Sequence, residues 1–180
     1  AGRAAALIDQ AIAARGGLAA LRAIRTVVAT QTLTNHSGDT VINGDSTNYI
    51  QYPDRFRIET QTPAGLVVQG YDGAQAWMRD PRGVQEAPES LARDARAGLR
   101  RDVVALLLAA KDGGVTPRAL PDVRDASGRV SHALELSARD LNPVVMYLDA
   151  ETGVVTKQAF VADAPGRPLV EETFSDYRPV

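Results

Sequence analysis

The sequence predicts a mainly β protein of the α+β class. The expected architecture is a strongly curved antiparallel half-barrel of about ten strands, with N-terminal helices and a central helical insert packed in the concave face. Three observations predict it. Short runs of β-branched and aromatic residues, separated by turn signals, occur on both sides of one helical block. That block ends in VVALLLAA, Val103 to Ala110, which is apolar all round and calls for burial on every side. A flat sheet covers only one side of a helix, whereas a sheet of about ten strands tends to curl and can wrap it.

The elements follow in order. Residues 4–14, AAALIDQAIAA, set Leu7, Ile8, Ala11 and Ile12 at helical spacing. Gly16-Gly17 interrupts the pattern, and Leu18 to Ile24 resumes it with Leu18, Leu21 and Ile24 facing inward. Thr26 to Thr34 is rich in β-branched residues and reads as a strand. His36-Ser37-Gly38-Asp39 reads as a turn, and Thr40 to Tyr52 as an imperfect strand with a bulge or extra turn at Asn43-Gly44. Asp54 to Gln61 alternates: Phe56 and Ile58 point one way, Arg55, Arg57 and Glu59 the other. The turn Pro63-Ala64-Gly65 leads into Leu66 to Tyr71. Asp72-Gly73 is the strongest hairpin signal, a type I′ turn with positive φ at both central residues, and Ala74 to Arg79 returns.

Pro88 opens an Arg-rich amphipathic segment with Leu91, Ala95 and Leu99 four apart and Gly98 as a dividing point. Asp102 precedes the apolar run, and Lys111-Asp112-Gly113-Gly114 ends it. Strand patterns resume at 115–124, 129–138, 143–149, 154–162 and 168–177. Ser127-Gly128, the Asp149 to Gly153 turn and Pro165-Gly166 separate them. The expected organisation is a single domain over 1–180. It comprises helices at 1–25, a first meander at 26–80, a helical plug at 88–112 and a second meander at 115–180.

Composition narrows the function classes. With 44% apolar and 23% charged residues in 180, the chain suits a globular domain with a sizeable core. A net charge of −2 gives no basic excess for nucleic acid or anionic lipid surfaces. The longest apolar run, Val103 to Ala110, falls far short of the roughly 20 residues of a membrane span. No Cys is present, which excludes disulfides, thiolate metal sites and a Cys nucleophile. Abundant Ala, and Arg in place of Lys, read as a GC-rich bacterial bias.

Motifs for chemistry are missing. His36 and His132 belong to no ligand-spaced cluster, so no metal or other cofactor is expected. Gly44-Asp45-Ser46-Thr47-Asn48 lacks the final Gly of a nucleophile elbow, and no phosphate-binding glycine loop occurs. Glu171 and Glu172 are adjacent on a strand and face opposite sides. Asp54, Asp149 and Glu151 fit turn chemistry. Arg93, Arg96, Arg100 and Arg101 read as a solvated helix face, with an anion site at a groove mouth as the sharper alternative.

The run YPDRFRIE, then Gln69-Gly70-Tyr71-Asp72-Gly73 and Ala76-Trp77-Met78, resembles the bacterial periplasmic lipoprotein-carrier superfamily, LolA-like and LolB-like. The opening ALIDQAIAARGGLAALRAIRTV and the late Tyr147-Leu148-Asp149, Thr152-Gly153 and Phe174-Ser175-Asp176-Tyr177 extend the resemblance over nearly the whole chain. It is similar above all to the domains attached to the C-terminal end of bacterial M16-like zinc peptidases. The resemblance implies a curved half-barrel with a cavity for acyl chains, a periplasmic or otherwise exported location, and no catalysis. Superfamily members continue past the Asp-Tyr-Arg segment, so it also implies a truncated or short variant. The carriers' lid-locking arginine maps onto no single residue here.

The first reading is therefore a non-catalytic domain that binds a hydrophobic small molecule, a lipid or an acylated polypeptide in its concave face. The expected lining is Leu33, Ile50, Phe56, Ile58, Val68, Trp77, Val103, Leu106, Leu107, Met146 and Leu148. Normal interior packing of these side chains would leave no cavity. The alternative is a structural or protein-interaction module of a larger exported protein, such as an M16-like peptidase, contacting an upstream domain or partner. A third class, a hydrolase or isomerase assembled in space, requires a polar pocket with a strongly perturbed carboxylate or His.

Overall fold

A computed structural model describes residues 2–37, 39–162 and 166–177. Among the described residues the chain is mainly β, with four helices and two six-stranded antiparallel sheets, each open at both edges. It divides into two compact units, Ala1–Ala23 with Arg100–Val180, and Ile24–Leu99.

The Ile24–Leu99 unit is an uninterrupted meander. Its strands are β1 (Thr26–Ser37), β2 (Thr40–Gln51), β3 (Arg55–Thr62), β4 (Gly65–Tyr71), β5 (Ala76–Asp80) and β6 (Gly83–Glu86), paired in chain order. The β1–β2 register is unbroken from Thr26↔Gln51 to Ser37↔Thr40. The bulge expected at Asn43-Gly44 is thus absent: both residues stay in the ladder, Gly44 opposite Leu33. His36 and Ser37 belong to β1, and Gly38 lies outside the described residues.

The Asp72-Gly73 turn also differs from expectation. Tyr71 pairs with Ala76, so the loop has four residues. The Asp72 carboxylate closes it by accepting from the backbone N–H groups of Ala74 and Gln75 at 2.9 and 2.8 Å. Only Gly73 takes positive φ, at 99°. An Asp side chain that caps its own loop competes successfully with the two-residue type I′ turn.

Helix α3 (Glu89–Arg101) supplies the apolar cover of this unit. Ala92, Ala95 and Leu99 cluster with Tyr71 and Ala76, and Ile50, Phe56 and Ala87 pack against them. The helix runs through Gly98 and ends at Asp102 instead. Asp102 breaks it because its carboxylate accepts from Val104 and Ala105 N–H at the start of α4 (Val103–Asp112).

The second unit contains α1 (Gly2–Ala13), α2 (Leu18–Ala23), α4 and six strands. These are β7 (Thr116–Ala119), β8 (Val123–Arg124), β9 (Val130–Ala138), β10 (Leu141–Asp149), β11 (Val155–Val161) and β12 (Leu169–Thr173). The sheet order is β12-β11-β10-β9-β7, with β8 also on β9. Helix α4 packs on α1 and α2, and α1 lies against β7 and β9. Val103, Val104, Leu106 and Leu107 of α4 are buried, while Leu108, Ala109 and Ala110 are half-buried, so the all-apolar helix keeps one side near the surface.

The described residues form twelve strands rather than about ten. The two extra strands are the short β6 and the split of 115–124 into β7 and β8. The Pro165-Gly166 turn falls partly outside the described residues.

Candidate ligand-binding surface

Cross-strand register sorts the expected lining residues onto faces. In the Ile24–Leu99 unit, Ile50 pairs with Phe56 and Phe56 with Tyr71, so these side chains share one face. Phe56 and Tyr71 stack with ring centroids 6.3 Å apart. Ile58 stands on the same face and is half-buried; Leu33 lies on this face at the far end and is 54% exposed. Helix α3 covers the Phe56 end, and the Arg96 guanidinium lies 5.9 Å from the Tyr71 ring centroid.

Val68 and Trp77 occupy the opposite face. Arg57 pairs with Gly70 and Gly70 with Trp77, while Glu59 pairs with Val68. The Trp77 indole lies flat over Gly70: a Cβ there would sit 2.3 Å from Trp77 Cε2 and Cζ2. Val28, Tyr49, Arg57, Gly70, Trp77 and Glu86 thus form one row across all six strands. Val28 is 65% exposed, Tyr49 is exposed and Trp77 is half-buried.

Two open grooves run between successive rows of this face. One, of about 350 Å³, is bordered by Thr26, Val28, Tyr49, Gln51, Arg55 and Arg57, with Val27, Ile50 and Phe56 also contributing. The other, about 370 Å³, is polar, lined chiefly by Thr30, Thr32, Asp45, Thr47, Glu59, Gln61 and Leu66. Arg57 pairs with Glu59 at 2.6 Å, which ties the cationic rim of the first groove to the acidic border of the second.

The remaining expected residues lie in the other unit. Leu106, Leu107, Met146 and Leu148 are completely buried, and Val103 nearly so. Met146 pairs with Leu134, and Leu134, Leu136, Val144 and Val155 are equally inaccessible. These side chains are part of the buried core of that unit. The structure therefore brings together Ile50, Phe56 and Ile58 on one face, Val68 and Trp77 on another, and the α4 and β10 residues in a third place.

Arg93, Arg96 and Arg100 are exposed, as a solvated helix face requires, and Arg101 is the exception. Arg96 pairs with Glu89 at 2.7 Å, and Arg100 grips Asp140 through both nitrogens at 2.7 and 2.9 Å. Arg101 is only 9% exposed, and its guanidinium stacks 4.3 Å from the Phe160 centroid. Gln158 is a second buried polar group: its Nε2 donates to Glu172, while its Oε1 has no hydrogen-bond partner among the described residues. Glu171 faces the other way, onto Lys157 at 2.9 Å, as adjacent strand residues must.

Carboxylates elsewhere serve turns and ion pairs. The Asp149 carboxyl is held below the usual range by the N–H and hydroxyl of Thr152. Asp122 is lowered by its bond to His132 at 2.9 Å and by Arg3. Asp140 is lowered by Arg100. Among the described residues no group of three or more His, Asp or Glu could hold a metal ion. No helix among them is long and apolar enough to cross a membrane.

No protein-family model matches the chain, and no curated protein does. Solved structures do. A LolA superfamily protein from Nitrosomonas europaea aligns over 98% of this chain and 79% of its own, with a TM-score of 0.52 at 14% identity. The fold is LolA-like. A DUF1329 family protein from Desulfovibrio piger aligns over 93% of this chain and 76% of its own, with a TM-score of 0.54 at 10% identity.

Proposed function

We propose that the chain is a non-catalytic, exported bacterial binding domain, acting in the periplasm, that holds a hydrophobic or amphipathic ligand such as a lipid or an acylated polypeptide. The observation that carries this reading is the groove beside Val28 and Tyr49. Its volume of about 350 Å³ lies within the range of small-molecule sites, roughly 300–1,000 Å³. The side chains on its face are Val28 and Tyr49, flanked by Thr26 and Gln51, and its cationic rim is Arg55 and Arg57. The LolA-like fold supports the same reading. Leu107 and Met146 have no exposed surface, which favours the open sheet face of the Ile24–Leu99 unit as the place of the ligand.

The test is native mass spectrometry of protein purified from a bacterial periplasm, followed by lipid extraction. A stoichiometric acyl species, lost in Val28→Glu, is the expected result. A clean apo mass and no binding of a fluorescent fatty acid would sink the proposal.

A second reading, a protein-interaction module of a larger exported protein, is favoured by apolar residues on edge strands. Val84 on β6 is 71% exposed and Leu169 on β12 is 67% exposed. Co-purification of an upstream domain or partner with an apo protein would move the balance to it.

A further inference from the structure

Sheet edges expose unpaired N–H and C=O groups, and proteins blunt them with brevity, Pro, charge or bulges. Three edges here follow that rule. Strand β6 has four residues and ends in Glu86. Strand β7 has four, including Pro117 and Arg118. Strand β12 has five, two of them Glu.

The fourth edge, β1, has none of these devices. It runs for twelve residues, TVVATQTLTNHS, with no Pro, Lys, Arg, Asp or Glu. Its ladder with β2 has no bulge. Val28 to Thr34 are exposed residue by residue, on both faces of the strand. Val28 and Leu33 are 65% and 54% exposed.

We propose that β1 pairs antiparallel with β1 of a second copy of this chain, joining two six-stranded sheets into one continuous sheet about a two-fold axis. The pairing must keep each face on its own side, so residues of equal parity oppose one another. Centring on Gln31 satisfies this with nearly the whole strand paired. Thr30 then opposes Thr32, Val28 opposes Thr34, and exposed Leu33 meets Ala29. Thr–Thr and β-branched pairs of this kind stabilise antiparallel ladders. A charged peptide would find no complementary charge on β1, whereas a second neutral β1 meets no like charge. Pairing at the edge leaves the groove-bearing face uncovered, with Val28 at the border of the groove and also in the seam.

Sedimentation velocity across the micromolar range tests this on the whole chain. Wild type is expected to dimerise. Gln31→Lys and Gln31→Glu each place like charges opposite one another on the axis, and each raises the dissociation constant about two- to fivefold. Mixing the two variants restores the dimer. Gln31 is exposed and accepts one surface hydrogen bond from Asn48 at 3.0 Å, so both variants retain the wild-type circular dichroism spectrum. A wild type that stays monomeric overturns the proposal. So do variants that dimerise as wild type does, or a mixture that fails to recover.

Discussion

Gly70→Ala is the sharpest probe of the sheet face that carries the grooves. Gly70 does not take positive φ, so alanine suits its backbone and gains about 0.5–1 kcal/mol by restricting the unfolded chain. Against that stands the Trp77 ring. The new Cβ would lie 2.3 Å from Cε2 and Cζ2 and 2.7 Å from Nε1. These are ring atoms of a half-buried indole rather than the tip of a flexible chain, so the ring must rise off the sheet. Overpacking of this kind costs about 1–3 kcal/mol. The net loss is up to about 2.5 kcal/mol, or a fall in Tm of up to about 10 °C for a chain of this size.

Trp77 is the only Trp, so its emission reports both the unfolding of its unit and the polarity of the site. Gly70→Ala should lower the fluorescence-detected midpoint and shift native emission to the red. In a Trp77→Ala background the clash is gone, and Gly70→Ala should become neutral or slightly stabilising. Equal cost in both backgrounds, or an unchanged midpoint and emission in the single variant, would refute the stacked arrangement.

Other outcomes follow from the two cores and the loops. Leu107→Ala, at a position with no exposed surface, should cost about 2–5 kcal/mol in a denaturant titration. Asp102→Ala removes the acceptor at the start of α4 and should cost about 1 kcal/mol, read as loss of helical ellipticity and a lower Tm. Asp72, Asp125, Asp140 and Asp149 all have folded pKa values below the unfolded 3.8. Their contribution is present above that value and is lost as pH falls through the folded values. Tm should therefore hold steady from neutral pH to about 5 and drop below about 4, with a shallower drop in Asp149→Asn. A flat Tm profile into acid would contradict the loop geometry.

Much of the fold was legible because period and punctuation are local. The alternation at Arg55 to Gln61 and the helical spacing of Leu7, Ile8, Ala11 and Ile12 needed no tertiary information, and these residues are placed as their patterns require. What failed were readings in which a side chain outcompeted a dipeptide rule. The Asp72 carboxylate built a four-residue loop where Asp-Gly alone signals two. The Asp102 cap, not Gly98, set the helix break. Arg101 on Phe160 and Gln158 with Glu172 were invisible for another reason: both depend on which residues lie across from one another, and sequence spacing does not encode that.

The placement of Val68 and Trp77 turned on a single residue of register. Thr62 pairs with Gly65, so the β3–β4 loop is Pro63-Ala64. A loop of Pro63-Ala64-Gly65 would pair Thr62 with Leu66 and bring Val68 onto the face of Phe56 and Ile58. The observed loop is one residue shorter, and one residue flips every side chain of the strand. The run Leu66-Val67-Val68 is apolar on both faces, so its own pattern could not decide the matter. This shift carries Val68 and Trp77 away from α3 and onto the face with Arg57 and Tyr49. The groove bordered by Val28, Tyr49, Arg55 and Arg57 lies on that same side of the sheet, the one that alternation alone marks as wet.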